Sequence, residues 1–304
     1  MESAYACCTL CPRGCRVNRT AGQRGFCGAG DQVYVARAAL HPWEEPPISG
    51  TRGSGTVFFS HCTLGCVFCQ NRSISRQTER GKPVSQTRLA EIFLELQAQG
   101  AHNINLVTAT HYIPSVAAAI RLARSIGLQI PIVYNTGGYE TVESLRLLNG
   151  LIDVYLPDFK YYSSYYGGLY AGAPDYADAA REAIAEMVRQ TGRPVLNSEG
   201  LLMRGTVIRH LMLPGLAGDT AQVLRYIAAH WGDQVLVSLM RQYTPLGMED
   251  YPELNRRIAD EEYEEAAELF GALGLAGFLQ DGESISESFI PSFQGEGVDG
   301  PEFA

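Results

Sequence analysis

Three cysteines in one short stretch are the residues of this chain best suited to chemistry. Cys62, Cys66 and Cys69, the cysteine triplet, are spaced C-x3-C-x2-C. Thiolate ligands select zinc, copper(I) or iron–sulfur centres. A structural zinc site and an ordinary electron-transfer cluster each use four protein ligands. Three ligands leave one metal position open, so the triplet predicts a centre at which a small molecule binds and reacts.

The triplet has a plainer alternative, half of a structural zinc site that a distant histidine completes. Its surroundings favour the reactive interpretation. Residues 56–60, TVFFS, are β-branched and aromatic, a pattern typical of a buried strand. Gln70 and Asn71 follow the last cysteine. A loop that leaves the C-terminal end of a strand is a usual place for an active site in an α/β protein.

A second group of cysteines lies nearer the N-terminus. Cys8, Cys11, Cys15 and Cys27, the N-terminal cysteine set, are spaced C-x2-C-x3-C-x11-C. All eight cysteines fall within the first 69 residues, whereas a disulfide-stabilised secreted protein is expected to spread its bridges across the fold. The set therefore predicts a second metal site, and its spacing fits zinc or a second iron–sulfur cluster. Cys7 is left over, and we expect it to be a free, partly buried thiol.

Composition and charge exclude several classes of protein. Of the 304 residues, 46% are hydrophobic and 19% are charged, as in soluble globular proteins. The net charge of −9 argues against a nucleic-acid partner. No apolar run approaches the roughly 20 residues that span a bilayer, and the N-terminus lacks the apolar core of a signal peptide. We therefore expect a cytoplasmic protein with no membrane and no nucleic-acid partner.

Strand-like and helix-like segments alternate after residue 54. The strands are near-continuously apolar, which is typical of a parallel sheet covered by helices. A Rossmann domain would need a G-x-G-x-x-G turn after its first strand, where this chain has the cysteine triplet. The predicted fold is therefore α/β, a partial (β/α)6-type TIM-like barrel. The predicted strands are 56–60, 103–108, 130–135, 152–158, 205–215 and 234–240, and the predicted helices are 86–99, 115–126, 141–148, 177–190, 220–230 and 260–272.

The chain divides into three parts. Residues 1–54 form a Cys-rich segment that is too sparsely hydrophobic to fold without a metal. Residues 55–280 form the partial barrel. Residues 281–304 are expected to be a C-terminal extension.

The chain resembles the radical S-adenosylmethionine (radical SAM) enzymes, in the branch related to pyruvate formate-lyase activating enzymes. The strings CTLGCVFCQN, NINLVT-x-TH, IVYNTGGYE, YLPDFKY, VIRHLMLPG and SFIPSF carry this resemblance over most of the chain. The N-terminal CxLCPRxCxVNR…GxCG resembles an extra cysteine segment of a subgroup that includes AmmeMemoRadiSam-type proteins.

The resemblance implies a [4Fe–4S] cluster held by the cysteine triplet, with S-adenosylmethionine (SAM) on its fourth iron. Reductive cleavage of SAM would give methionine and a 5′-deoxyadenosyl radical, which removes a hydrogen atom from a protein or peptide. Activation of a glycyl-radical enzyme is the nearest precedent. The resemblance also implies an electron-donating partner such as flavodoxin or ferredoxin.

Two groups of cofactor-binding candidates follow from the resemblance. Related enzymes have a Gly-Gly-Glu-Pro-like turn after the second strand, and this chain has Thr108, Thr110 and His111 there. These residues are candidates to bind the amino group of SAM. Asn135 and Thr136 end the third strand, where activating enzymes bind the ribose and the carboxylate.

Further candidates lie on later strands. Asp158 and Lys160 match an Asp-x-Lys motif after the fourth strand, and Lys160 would neutralise the carboxylate of SAM. A simple ion pair at the rim is the alternative. Arg209 is also a cofactor candidate, and because neighbouring strand residues face opposite sides, at most one of Arg209 and His210 points into the barrel. Gln242 and Tyr243 are placed at the level of the substrate.

The same sequence features are compatible with other functions. The same radical chemistry could modify a small molecule or a peptide natural product. An alternative of another class is a non-catalytic metal or iron–sulfur binding module. His111 and His210 could each be a hydrogen-bonded structural histidine.

Overall fold

A largely parallel sheet organises the chain. The computed structural model describes residues 2–76, 81–280 and 293–300. Within these ranges the sheet has ten strands, in the order β10-β9-β8-β6-β5-β4-β2-β1-β3, with β7 pairing to β8. The strands are β1 (Val33–His41), β2 (Ser54–Phe59), β3 (Lys82–Val84), β4 (Ile104–Val107), β5 (Ile132–Thr136), β6 (Val154–Pro157), β7 (Val195–Leu196), β8 (Leu202–Leu211), β9 (Leu236–Met240) and β10 (Gly277–Leu279).

Six strand–helix units build the main body. Strands β2, β4, β5, β6, β8 and β9 run parallel, and each is followed by helical structure before the next of them. β10 adds a further parallel strand beside β9. The prediction of an α/β partial barrel is therefore confirmed. The helices are α1 (Glu2–Ala6), α2 (Pro46–Ser49), α3 (Arg72–Ser75), α4 (Gln86–Ala98), α5 (Ile113–Ser125), α6 (Val142–Arg146), α7 (Ser164–Ala171), α8 (Tyr176–Thr191), α9 (Ala217–His230) and α10 (Asp260–Ala272).

Burial explains why these segments form strands and helices. Every residue of β2, β4, β5 and β6 is buried, as expected for strands covered on both faces. Helix α4 is capped by Ser85, whose side chain accepts a hydrogen bond from the Arg88 backbone N–H. It buries Leu89, Phe93 and Leu96 on one face, at helical spacing. None of the described helices is long and apolar enough to cross a membrane.

The strand β1 is the main element that the sequence analysis did not predict. It lies within the Cys-rich segment and pairs antiparallel with β2 on one side and with β3 on the other. Val33, Val35, Ala36 and Ala38 of this strand are buried. Part of the N-terminal segment is therefore built into the main sheet, and the loop that follows β1 reaches the C-terminal ends of the parallel strands.

The described C-terminal residues lie against the outer edge of β1. The Gly295 N–H donates to the Ala36 carbonyl over 3.0 Å, and the Ala38 N–H donates to the Glu296 carbonyl over 2.8 Å. Val298 is buried in the main apolar core. The rest of the predicted extension, residues 281–292 and 301–304, lies outside the described residues, as does most of SFIPSF.

Candidate active site

A cavity of about 260 Å³ lies at the C-terminal ends of the parallel strands. We call it the strand-end cavity. Its wall includes apolar side chains from three strands, Phe58, Leu211 and Met240. Most of the residues predicted to do chemistry also line it, although they are far apart in the sequence. They are Cys62, Cys66, Cys69, Thr108, Asn135, Thr136, Asp158, Lys160, Arg209 and Gln242.

The loop that carries the cysteine triplet is held by backbone hydrogen bonds to α7. The Gly65 N–H donates to the Ala171 carbonyl over 3.2 Å, and the Val67 N–H donates to the Tyr170 carbonyl over 2.9 Å. Leu64 and Phe68 of the loop are buried in the apolar core beneath it. The sequence between the cysteines therefore anchors the loop, while the three thiols face the cavity.

The donor set fits a multi-iron centre. The Leu64 N–H donates to the Cys62 Sγ over 3.4 Å, and the Cys69 Sγ lies 3.6 Å from the Ser75 hydroxyl. Burial raises the pKa of Cys62 to about 12 and that of Cys66 to about 11, so a bound metal has to displace their protons. Within the ranges that the structure describes, no three His, Cys, Asp or Glu side chains converge on one ion. An iron–sulfur cluster does not require its ligands to converge on one ion, because each thiolate binds a different iron atom.

A network of buried charges lies opposite the triplet. Lys160 Nζ is 2.5 Å from Asp158 Oδ2, and Arg209 Nε donates to Asp158 Oδ1 over 3.0 Å. Arg209 Nη2 also donates to Asn135 Oδ1 over 2.7 Å. The side chains of Asp158, Lys160 and Arg209 are each about 15% exposed. Three predicted cofactor-binding positions are therefore joined to a fourth, Asn135, in one hydrogen-bonded group.

The network fixes the charge of each member. Burial alone would raise the pKa of Asp158, but the attraction of Arg209 and Lys160 outweighs it and holds the pKa below its ordinary value. Burial would lower the pKa of Lys160, but Asp158 and Cys66 hold it above the ordinary value. Asp158 is therefore ionised and Lys160 protonated at neutral pH, and both face the cavity together with Arg209.

Glu44 is a member of the network that the sequence analysis missed. It follows β1 in the stretch HPWEEPPISG, which has no regular apolar pattern. Its Oε2 lies 3.5 Å from Arg209 Nη1, and its Oε1 accepts hydrogen bonds from Asn105 and Asn135. Burial raises the pKa of Glu44, against the opposing effect of Arg209. Trp43 lines the same cavity and is 59% exposed at its mouth.

Two residues with positive φ flank the site. His61, directly before Cys62, has φ 75°, and Thr108, after β4, has φ 62°. This conformation is uncommon for residues other than glycine and is a real outlier for a β-branched side chain. Thr108 stands where related enzymes have a glycine-rich turn, so the backbone keeps a glycine-like conformation there without the glycine. Such strain is concentrated at functional sites in proteins.

Four residues that the sequence marked as candidates do not line the strand-end cavity, namely Thr110, His111, His210 and Tyr243. Thr110 donates to Glu140 Oε1 over 2.5 Å, and His111 Nε2 is 2.8 Å from the Ser60 carbonyl. These positions give no support to the predicted contact of Thr110 and His111 with a cofactor. His210 Nε2 is 2.9 Å from the Thr220 hydroxyl, facing α9, while Arg209 faces the cavity. Tyr243 is buried, with its hydroxyl donating to the Leu254 carbonyl.

The N-terminal cysteine set lines a second, much smaller cavity. Its volume is about 10 Å³, and all four cysteines contribute to its wall. Thr63 and His111 also line it. The second cavity therefore lies directly behind the loop of the cysteine triplet.

Comparisons by sequence identify a family and a relative. The model of the radical SAM superfamily matches residues 56–227. The uncharacterized protein MJ0674 of Methanocaldococcus jannaschii is 30% identical over 278 residues, which cover 88% of this chain and 75% of that protein.

Solved structures share the fold at low sequence identity. Methylornithine synthase (PylB) has a TM-score of 0.51 and 14% identity, over 88% of this chain and 74% of that chain. SuiB of Streptococcus suis bound to S-adenosylmethionine has a TM-score of 0.50 and 13% identity, over 73% of this chain and 48% of that chain. HydG from Carboxydothermus hydrogenoformans has a TM-score of 0.50 and 15% identity, over 78% of this chain and 56% of that chain.

Proposed function

The chain belongs to the radical SAM superfamily, and on that premise we propose that it abstracts a hydrogen atom from a protein or peptide substrate at the strand-end cavity. The family implies an enzyme with a [4Fe–4S] cluster and SAM. The cysteine triplet is the proposed cluster site. The observation that carries the proposal is the shared cavity: three thiols and the network around Asp158 line one space at the strand ends.

The cofactor supplies the difficult chemistry and the protein positions it. When bound, the reduced cluster and SAM supply a 5′-deoxyadenosyl radical that removes a hydrogen atom from the substrate. Lys160 and Arg209 offer cationic groups to the carboxylate of SAM, and Asp158 holds both cations in place. Asn135, Thr136 and Thr108 offer polar atoms to the ribose and the amino group.

Apolar side chains are proposed to exclude water from the reacting centre. Phe58, Val107, Leu211 and Met240 line the cavity beside the polar network. A dry, closed site strengthens electrostatic interactions and prevents side reactions of a reactive intermediate. This arrangement supports radical chemistry better than a purely electron-carrying role.

Product analysis tests the proposal. The protein is reconstituted anaerobically with iron and sulfide, reduced with dithionite and incubated with SAM. We expect 5′-deoxyadenosine and methionine to accumulate. The control is the variant Cys62→Ala/Cys66→Ala/Cys69→Ala. If the wild type makes no more 5′-deoxyadenosine than this control, the proposal is wrong.

The substrate class within this chemistry has two candidates. Resemblance to pyruvate formate-lyase activating enzymes favours a protein substrate, with a backbone glycine as the nearest precedent. A small molecule or a peptide natural product is the second candidate, favoured by the cavity volume of about 260 Å³. Incorporation of deuterium into 5′-deoxyadenosine from a labelled substrate separates the two. We further propose a flavodoxin or ferredoxin as the electron donor and the cytoplasm as the location.

A further inference from the structure

The small cavity in the N-terminal segment has the features of a metal site distinct from the cysteine triplet. Its volume of about 10 Å³ is comparable with the space that one water-sized sphere occupies. All four residues of the N-terminal cysteine set line its wall. No role in the proposed reaction uses these cysteines.

The backbone folds tightly to bring the cysteines together. The Cys8 N–H donates to the Val17 carbonyl over 3.1 Å, and the Arg16 N–H donates back to the Cys8 carbonyl over 2.9 Å. Between them, the Gly14 N–H donates to the Cys11 carbonyl over 3.0 Å. Gly14 and Arg16, on either side of Cys15, have φ of 49° and 55°, so the chain turns sharply at this cysteine.

Hydrogen-bond donors and a glycine are placed around the sulfur atoms. The Phe26 N–H donates to the Cys15 Sγ over 3.5 Å, and Arg19 Nη1 lies 3.8 Å from the Cys8 Sγ. At Gly25, an added Cβ would lie 2.8 Å from the Cys15 Sγ, so this position admits no side chain. Donors directed at cysteine sulfur are what a metal-bound thiolate requires from its surroundings.

A buried cation provides a second, independent observation. Arg19 is only 1% exposed. Its guanidinium donates to the Gly30 carbonyl over 3.0 Å and to the His111 carbonyl over 2.6 Å, and it lies 4.4 Å from the ring centre of Tyr5. In the part of the chain that is described, no carboxylate forms an ion pair with it. A buried charge without a counter-charge is costly, and four thiolates around a divalent cation would supply a net negative charge beside it.

We propose that the N-terminal cysteine set binds one zinc ion in a tetrahedral, structural site. Four thiolates are a usual ligand set for structural zinc, at Zn–S distances of roughly 2.3 Å. The cavity has the size for one ion. Binding requires the four side chains to turn inward, because they do not yet converge on one point within the described residues.

The zinc site would support the loop of the cysteine triplet from behind. Arg13 Nε donates to the Thr63 carbonyl and Arg13 Nη2 to the Ala171 carbonyl, both over 3.2 Å. Arg19 connects the same segment to His111, whose ring contacts the Ser60 carbonyl. Thr63 directly follows Cys62 in the sequence, and Ser60 lies two residues before it. The N-terminal segment therefore contacts the chain on both sides of Cys62. The proposed zinc therefore has a positioning role and takes no part in the reaction.

Metal analysis of the full chain tests the assignment. We expect about one zinc per chain in protein purified anaerobically, in addition to about four irons. The variant Cys11→Ser should lose zinc and keep most of its iron. The triple alanine variant of the triplet should lose iron and keep zinc, so failure at one site is distinguishable from failure at the other. Cys7→Ser is the matched control, since Cys7 is exposed and lies outside the set.

Two outcomes would overturn the proposal. One is the absence of zinc from the wild type and the triple alanine variant. The other is a second set of about four irons that Cys11→Ser removes, which would assign a second cluster. If Cys11→Ser fails to fold, cobalt(II) exchanged into the triple alanine variant gives the answer. Thiolate-to-cobalt absorption with tetrahedral ligand-field bands is expected, and lack of these bands rejects the site.

Discussion

Buried charges of both signs meet in the strand-end cavity, and their pairing makes their burial tolerable. Asp158 contacts two cations, Lys160 and Arg209, and Arg209 also faces Glu44. Removing one partner from such a group would leave another charge buried without compensation, which is strongly destabilising. The group is therefore held in one arrangement before any ligand binds. Such preorganised charge suits a site that must orient a zwitterionic ligand.

Glu140 gives a prediction about pH. It is 1% exposed, and burial raises the pKa of its carboxyl from an ordinary 4.5 to about 7, although Thr110 and Thr136 donate to it. Because the folded protein holds this proton more tightly than the unfolded chain, stability falls as pH rises from about 4.5 to about 7. The loss is up to about 3 kcal/mol.

The substitution Glu140→Gln should remove that loss. We expect the apparent Tm of the variant, relative to wild type, to be higher by several degrees at about pH 8 than at about pH 5. The same exchange at the exposed Glu143 is the control and should give a flat difference. Thermal scans of all three proteins at both pH values measure it. A Glu140→Gln difference that does not change with pH would contradict this account.

At the scale of the elements, the sequence predicted the strand–helix units and missed β1. Long apolar strands such as residues 130–135 and amphipathic helices such as α10 (Asp260–Ala272) carry strong periodic patterns. The strand β1 has the weaker sequence VYVARAALH, in which short alanines occupy buried positions. Its place depends on pairing with β2 and β3, a tertiary contact that periodicity does not encode. Glu44 follows β1 in the chain, so without β1 the sequence gives no reason to place Glu44 at the site.

The sheet edge gives a second prediction. Gly277 begins β10 with φ 153°, and an added Cβ would overlap the Val237 backbone of β9. We expect Gly277→Ala to destabilise the protein by about 1–3 kcal/mol, because backbone atoms cannot move aside as side chains do. Gly271→Ala in α10 is the matched control, since its added Cβ meets no heavy atom within 4 Å. The control should be neutral or stabilising.

Urea unfolding of the two alanine variants measures the comparison. The expected order of midpoints is Gly271→Ala at or above wild type, and Gly277→Ala below it. Equal midpoints for Gly277→Ala and wild type would show that β9 and β10 do not approach as closely as the structure has them.

At the scale of the whole molecule, the loop of the cysteine triplet connects two apolar cores. One core lies around β2 and β4 and includes Val57 and Phe59, the residues that lead into the loop. The other lies around β8 and β9 and includes Leu64 and Phe68 of the loop itself. The sequence could identify the triplet because its spacing is local, whereas the cavity wall is assembled from contacts across the sheet.

The same distinction explains which of the cofactor candidates lie together at the cavity. Asp158, Asn135 and Arg209 lie at or near the C-terminal ends of neighbouring parallel strands. The strand order alone therefore brings them to the same edge of the sheet. Thr110 and His111 lie in a 3-10 turn after β4, and the direction of that turn sends their side chains behind the cavity wall. A local turn geometry of this kind is not readable from the sequence.

Electron paramagnetic resonance can show whether the cysteine triplet holds a cluster with an open iron facing the cavity. Anaerobically reconstituted protein is reduced, and its spectrum is recorded with and without SAM. We expect a reduced [4Fe–4S] signal whose g values change when SAM is added, and no such signal in the variant Cys62→Ala/Cys66→Ala/Cys69→Ala. A wild-type spectrum that SAM leaves unchanged would contradict it.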